Sequence, residues 1–94
     1  MNAPDSSQRM IAVGRLHGAF GVRGEVKLES FTDPEKAIAR YQPWTLRDAR
    51  GNQRVCEGAS VRVGGKSLVA TLPGIDDRDT AEALRGAEIW VPRS

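Results

Sequence analysis

Short runs in which apolar and polar residues alternate fill most of the chain from residue 10 onward. Such alternation has the two-residue period of a strand that buries one face. The positions that alternate with the polar residues form six groups: Ile11 and Val13; Val26, Leu28 and Ser30; Trp44 and Leu46; Val55, Ala59, Val61 and Val63; Leu68, Ala70 and Leu72; Ile89 and Val91. The pattern therefore predicts six short strands.

Turn-forming residues separate these strands. The segments Arg50-Gly51-Asn52 and Gly64-Gly65-Lys66 contain residues that tolerate a positive φ, so both are predicted to be hairpin turns. The first two strands are joined by a longer segment that holds Gly18, Gly21 and Gly24. We predict a glycine-rich loop there.

Two segments have the signals of helices instead. Thr32-Asp33-Pro34-Glu35 places a capping residue and an early proline before an apolar stretch, which predicts a single helical turn. Asp76–Gly86 begins with acids and ends with Arg85 and Gly86, as the helix dipole and a C-terminal cap both favour. A short helix is predicted over Arg78–Arg85.

These elements predict an all-β fold, a six-stranded antiparallel β-barrel with one short helix before the last strand. Closure of a barrel removes the unpaired edges that a small open sheet would expose. Residues 1–9 are predicted to be a flexible tail and residues 10–94 the domain. The predicted core consists of Ile11, Val13, Val26, Leu28, Leu46, Val61, Val63, Leu68, Leu72, Ile89 and Val91.

Composition limits the function classes. The chain has 94 residues, of which 39% are hydrophobic and 28% charged, as is usual for one small globular domain. Its longest apolar stretches are far shorter than the roughly 20 residues that cross a bilayer. The first eight residues have neither the basic start nor the apolar stretch of a secretory signal, so a cytoplasmic location is expected.

Residues for catalysis or metal binding are scarce. His17 is the only histidine and Cys56 the only cysteine, so an internal disulfide cannot form. Cys56 is expected to be a small packed side chain, and the acids near residue 77 are expected to begin a helix. We therefore expect no enzyme activity, no cofactor and no metal.

The segment Gly14–Lys27 is the most informative part of the sequence. It interleaves glycines with cations, which suits close approach to a partner that carries phosphate. The alternative is a bulged, glycine-rich corner of the fold whose charges are merely solvated, and the residues alone leave both open. Phe20 must either fold back or meet a partner, because a large apolar side chain is costly to leave in water.

Charge is unevenly distributed along the chain. Residues 9–27 carry four cations and one acid, whereas residues 76–88 carry five acids and two cations. We therefore expect the domain to be an electrical dipole. The five aromatic residues are spread along the chain, which argues against a base-stacking platform for single-stranded nucleic acid.

Three motifs occur in an order that is typical of one family. They are Val13–Lys27, Ser30–Glu35 and Leu72–Glu82, the last followed by Leu84, Gly86 and Ile89–Pro92. Across Met10–Arg93 the chain resembles the amino-terminal domain of the bacterial ribosome maturation factor RimM. Its glycines Gly14, Gly18, Gly21 and Gly24, with His17 between them, match the glycine-rich stretch of that family.

The resemblance implies a translation-factor-like six-stranded barrel that binds the small ribosomal subunit during assembly and supports 16S rRNA processing, without being a nuclease. The implied partners are small-subunit ribosomal protein nineteen, in the head of the subunit, and nearby 16S rRNA. In the family, a second barrel of the PRC type follows at the C-terminal side.

The expected partner contacts are Arg15, His17, Phe20, Arg23 and Lys27. The cations would meet phosphate or acids, and Phe20 would supply an apolar contact. The alternative is a structural barrel that serves mainly as a packing partner for its own second domain, with Trp90 facing that neighbour.

Overall fold

The computed structural model describes Met10–Pro92, so the predicted tail over residues 1–9 lies outside the described residues. All strands of this part belong to one antiparallel sheet. The strands are β1 (Met10–Phe20), β2 (Glu25–Ser30), β3 (Trp44–Arg47), β4 (Gln53–Cys56), β5 (Ser60–Gly64), β6 (Ser67–Thr71) and β7 (Glu88–Pro92). Their spatial order is β4-β3-β7-β1-β2-β6-β5.

The predicted all-β architecture with a short helix before the last strand is confirmed, but the strand count of six is wrong. Seven strands form because the run predicted over residues 55–63 turns after Cys56. The side chain of Gln42 holds this turn: its Nε2 donates to the Ala59 carbonyl at 3.0 Å, and its Oε1 accepts from the Gly58 N–H at 3.2 Å. In the part of the chain that the structure describes, β4 and β5 are the two edges of the sheet, and no ladder closes it.

The predicted glycine-rich loop is mostly strand. β1 continues to Phe20, so only residues 21–24 form a turn. Two irregularities in register occur in β1, between Ala12 and Gly14 against β7 and between Leu16 and Gly18 against β2. Extra residues of this kind bend a strand and shift which side chains face inward.

Both predicted hairpins and both predicted helical segments are present. A 3₁₀ helix spans Glu35–Arg40, and helix α1 spans Arg78–Glu82, which is shorter than the predicted Arg78–Arg85. Asp77 caps α1, since its carboxylate accepts from the Thr80 N–H at 3.0 Å. The following residues continue as turns to Gly86, whose positive φ ends the segment.

The core lies on one face of the curved sheet and is covered by both helices. Most of its predicted members are buried, but Ile11 and Val63 are exposed and Val61 is only partly buried. Ile11 precedes the irregularity in β1 that breaks the alternation, and Val63 lies on an edge strand. The largest fully buried side chains are Trp44, Leu16, Ile38, Leu72, Ile89, Val26, Val69 and Val91, of which the predicted core lacked Trp44, Leu16, Ile38 and Val69.

Candidate RNA and protein interface

Strands β1 and β2 and the turn between them carry the five predicted contact residues. Arg15 and His17 lie exposed on β1, Lys27 lies exposed on β2, and Arg23 lies in the turn. Arg15 lies opposite Glu29 and Gly18 opposite Lys27, which leaves His17 as the extra residue of the irregularity. Of these side chains, His17 and Lys27 line the same cavity, whereas Arg15 lines a different one beside Glu88 of β7.

Two of the predicted contacts are paired with acids. Arg15 Nη2 lies 3.3 Å from Glu88 Oε2 on β7, and His17 Nε2 lies 2.9 Å from Glu29 Oε1 on β2. Both pairs are solvent-exposed, so each contributes little to stability. The acid of either pair can therefore be replaced by a group of a binding partner. The pairing with Glu88 nevertheless offsets the positive charge of Arg15.

Arg23 and Lys27 are the predicted cations that form no ion pair within Met10–Pro92. Lys27 lines an open cavity of about 360 Å³ together with His17 and Lys66. Glu29 and Glu35 also line the cavity. This surface is therefore mixed in charge, with two lysine ammonium groups directed to solvent.

The tip of the hairpin contains residues that the sequence analysis did not single out. The Val22 side chain is 73% exposed, and the Arg78 guanidinium approaches the Gly21 carbonyl at 3.5 Å. Arg78 belongs to α1, so a second cation joins Arg23 at the same turn. The glycines on either side of Val22 could have indicated an exposed tip, but no local signal connects Arg78 with it.

Phe20 folds back onto the sheet and is partly buried. The Cζ atom of Arg62 lies 5.5 Å from the centre of the Phe20 ring, which is a cation–π distance. The ring also lies against Gly64, where an added Cβ would be 3.3 Å from Phe20 Cζ and 2.7 Å from Val69 Cγ2. Phe20 therefore packs on the outer face of the sheet, and Val22 is the more exposed apolar side chain.

Glu25 holds Arg62 over this packed ring. The guanidinium donates two hydrogen bonds to the Glu25 carboxylate, at 2.8 and 3.0 Å. The pKa of Glu25 is lowered below its ordinary value of 4.5, mainly because of these hydrogen bonds. A carboxylate with a lowered pKa stabilises the fold above its ordinary pKa, and the contribution is lost as the pH falls through the lower, folded value.

We expect Glu25→Gln to weaken the acid dependence of folding. At pH 7 the variant should be less stable than the parent, and its free energy of unfolding should fall less steeply below pH 4.5. Urea unfolding followed between pH 2 and 7 measures this, with Glu57→Gln as the control because Glu57 is an exposed acid outside this cluster. Parallel pH curves for the parent and Glu25→Gln would contradict the assignment.

The acidic helix segment packs beside the basic hairpin. The Glu82 carboxylate accepts from the Ala19 N–H at 2.9 Å, and this bond is the main cause that lowers the pKa of Glu82. Together with the contacts Arg15–Glu88 and Arg78–Gly21, it brings the two oppositely charged segments together. The dipole expected from the sequence is therefore partly cancelled by local pairing.

Three of the four glycines predicted to form the loop backbone lie close to other parts of the fold. An added Cβ at Gly14 would lie 2.6 Å from the Glu29 carbonyl oxygen, and Gly18 lies at the irregularity in β1 beside Glu82. Gly24 has a φ of 95°, and an added Cβ would lie 2.6 Å from the Ile75 carbonyl oxygen. Gly21 is the member of this set with open space around the Cβ position. The glycines thus serve mainly the close packing of the fold.

Gly24→Ala should therefore destabilise the domain more than Gly21→Ala. Both positions have a positive φ, which costs a non-glycine residue about 1 kcal/mol. Only Gly24 adds a clash with backbone, so its loss should exceed that of Gly21 by about 1 to 2 kcal/mol. Chemical denaturation measures both variants, and equal losses would show that residues 75–76 do not pack against Gly24.

The groups that could support catalysis do not assemble. His17 contacts Glu29, whereas Cys56 is buried, and burial raises the pKa of its thiol. A raised pKa reduces the thiolate fraction, which is the reactive form. Among residues 10–92 no group of three or more histidine, cysteine, aspartate or glutamate side chains could hold a metal ion.

None of the helices within the same range has the length and apolar composition that a membrane-spanning helix requires.

Comparison with known proteins places this chain in a known family. The family model described as RimM N-terminal domain matches residues 11–94 of this sequence. The protein named ribosome maturation factor RimM from Stenotrophomonas maltophilia strain R551-3 is 58% identical over 88 residues, which cover 94% of this chain and 52% of that protein. Its namesake from Xanthomonas axonopodis pv. citri is 53% identical with the same coverage. The chain thus spans about half the length of these relatives.

Two solved structures share the fold. A crystal structure from Pseudomonas aeruginosa, described as a putative 16S ribosomal RNA processing protein RimM, has a TM-score of 0.82 and 42% identity over 90% of this chain and 51% of that one. The solution structure of the N-terminal domain of RimM from Thermus thermophilus has a TM-score of 0.62 at 22% identity, over 88% of each chain, and supports the fold alone. The chain belongs to the RimM N-terminal domain family.

Proposed function

We propose that this domain is the part of a ribosome maturation factor that binds the head of the small ribosomal subunit in the cytoplasm and supports 16S rRNA processing. The observation that carries the proposal is the family match over residues 11–94, together with relatives that are named ribosome maturation factors. The domain acts by binding and not by catalysis, as an assembly chaperone. Its partners are small-subunit ribosomal protein nineteen and the adjacent 16S rRNA.

The surface of the β1–β2 hairpin suits such a mixed target. Arg23 and Arg78 at the tip supply guanidinium groups, which pair with phosphate in a planar, bidentate manner. Lys27 and Lys66 supply two further cations beside the His17–Glu29 pair. Phosphate contacts of this kind position a protein on RNA without reading its sequence.

The exposed Val22 offers a contact for protein at the same tip. A few side chains near the centre of an interface contribute most of the binding energy, and charged groups around them provide orientation and salt dependence. The tip thus combines an apolar centre with a cationic surrounding. In this arrangement the tip binds first. Arg15 and His17 bind afterwards, when a group of the partner replaces Glu88 beside Arg15 or Glu29 beside His17.

We also propose that a C-terminal PRC-barrel domain follows this domain in the full-length protein. The relatives are about twice as long as the matched region, and the matching model is that of an N-terminal domain. The two domains would then share the work of binding the subunit. The surface proposed here for ribosome contact lies at the β1–β2 turn, away from Pro92 at the end of β7.

Lysine reactivity offers a direct test, because the chain contains only three lysines. Lys27 and Lys66 line the proposed binding surface, and Lys36 on the 3₁₀ helix does not line this cavity. Binding to assembling small subunits should slow acylation of Lys27 and Lys66 by about fivefold or more, because interface cores exclude water. Lys36 should react at an unchanged rate.

The readout is mass spectrometry of the domain with and without purified small-subunit assembly particles. Cross-links from Lys27 to ribosomal protein nineteen, or to head RNA, would identify which partner lies nearest. Protection of Lys36 alone, or no change at any lysine under conditions where the domain sediments with the particles, would contradict the proposed surface.

A further inference from the structure

Four large apolar side chains remain exposed near the chain's last described residue. Met10, Ile11, Phe31 and Tyr41 are between 37% and 52% exposed. They come from three separate segments, the start of β1, the residue after β2, and the end of the 3₁₀ helix. Met10 lies opposite Pro92, so all four adjoin the end of β7.

Three of these side chains line one cavity of about 270 Å³. Ile11, Phe31 and Tyr41 share it with Val91 and Pro92 of β7. Asp33 is the one charged residue in its lining. The cavity is therefore an apolar depression into which the last strand of the domain runs.

Contiguous apolar exposure of this kind differs from the single exposed valines elsewhere on the sheet. Scattered apolar side chains need no explanation, whereas a grouped patch usually marks a surface that another part of a protein covers. The patch also lies at the opposite end of β1 from the hairpin tip at Val22. The proposed ribosome contact therefore does not account for it.

We infer that this patch is the docking surface for the polypeptide that follows β7 in the full-length protein. The inference rests on the second domain proposed above. β7 ends at Pro92, which lines the cavity with Phe31 and Tyr41, so a domain that follows β7 is tethered beside the patch. Relatives contain about as many residues beyond the matched region as within it, which is enough to form a packed neighbour.

Trp90 is less suited to that role, although the sequence suggested it. The Arg47 guanidinium covers its ring, with Cζ 4.7 Å from the ring centre, and its Nε1 donates to Glu88 Oε1 at 3.2 Å. Its apolar face and its polar atom therefore both have partners within the domain. Phe31 and Tyr41 have no such cover from a cation in the described residues.

Hydroxyl-radical footprinting of the full-length protein and of this 94-residue chain tests the inference without ribosomal particles. Oxidation of Phe31 and Tyr41 should be about fivefold slower in the full-length protein, because a packed interface excludes water. Trp90 should be oxidised at a similar rate in both. Unchanged rates at Phe31 and Tyr41, or protection of Trp90 instead, would overturn the inference.

A pair of variants separates docking from folding. In the full-length protein, Phe31→Ser with Tyr41→Ser should split one unfolding transition into two, while the matched control Val22→Ser should leave a single transition. In the 94-residue chain the double variant should still unfold in a single transition, because both side chains lie at the surface of the domain. Protection of the patch in the chain alone that increases with concentration would indicate a second copy as the occupant and overturn the inference. Failure of ribosome binding would leave all these results unaffected.

Discussion

Replacing Trp44 with alanine is expected to remove about 3 to 5 kcal/mol of folding free energy, the largest loss that we anticipate for a single substitution. Trp44 is fully buried, and its Nε1 donates to the Ile38 carbonyl at 3.1 Å. The side chain thereby connects β3 with the 3₁₀ helix. Since native domains are stable by only about 5 to 15 kcal/mol, this loss is a large fraction of the total.

Urea unfolding followed by circular dichroism measures the effect of this substitution. Trp90→Ala is the matched control, because Trp90 is the other tryptophan and is only partly buried. Its truncation should cost about 1 kcal/mol, the scale of one cation–π interaction and surface packing. A decrease below about 1 kcal/mol for Trp44→Ala, or equal decreases at both sites, would show that Trp44 does not organise the core.

Replacing Arg23, Lys27 and Arg78 together with alanine is expected to weaken binding to small-subunit particles at least a hundredfold. Each charge-assisted contact to phosphate contributes about 1.5 kcal/mol, which is roughly a factor of ten in affinity. Arg23 and Arg78 lie at the hairpin tip, and Lys27 lies on the adjacent strand without an ion pair in the described part of the chain. Stability should change little, because exposed cations rarely contribute more than about 0.5 kcal/mol.

A second triple variant controls for net charge. Arg40, Arg50 and Arg54 are exposed cations on other elements, so their replacement with alanine removes the same three charges. We expect this variant to bind within about threefold of the parent, since screening limits the effect of distant charges. Equal weakening by both triple variants would mean that total charge, and not the hairpin, determines binding.

The strands could be predicted because each buries one face, which leaves a two-residue period in the sequence. That period assigns Val26, Leu28, Ile89 and Val91 to the core, and all four are buried. The period fails where β1 contains extra residues. Ile11 is therefore exposed, and no pattern within a few residues could reveal this, because the irregularities arise from pairing with β2 and β7.

The binding surface was predictable only in part for a similar reason. Alternation correctly placed Lys27 on the outward face of β2, but the partner of Arg15 is Glu88, which is 73 residues away in the chain. Arg78 reaches the hairpin tip because α1 packs against β1, and that packing depends on the fold as a whole. The folded-back position of Phe20 could not be predicted locally, because the ring packs against Gly64 and Arg62 of β5.

The salt dependence of binding tests most directly whether the hairpin contacts RNA phosphate. Affinity for small-subunit particles should be measured between about 50 and 300 mM salt for the parent and for both triple variants. Removing one phosphate contact reduces the slope of log affinity against log salt by about one, so the Arg23, Lys27 and Arg78 variant should show a slope smaller by about two to three. The Arg40, Arg50 and Arg54 variant should keep the parent's slope. Identical slopes for the parent and the hairpin variant would contradict the proposal that this surface binds ribosomal RNA.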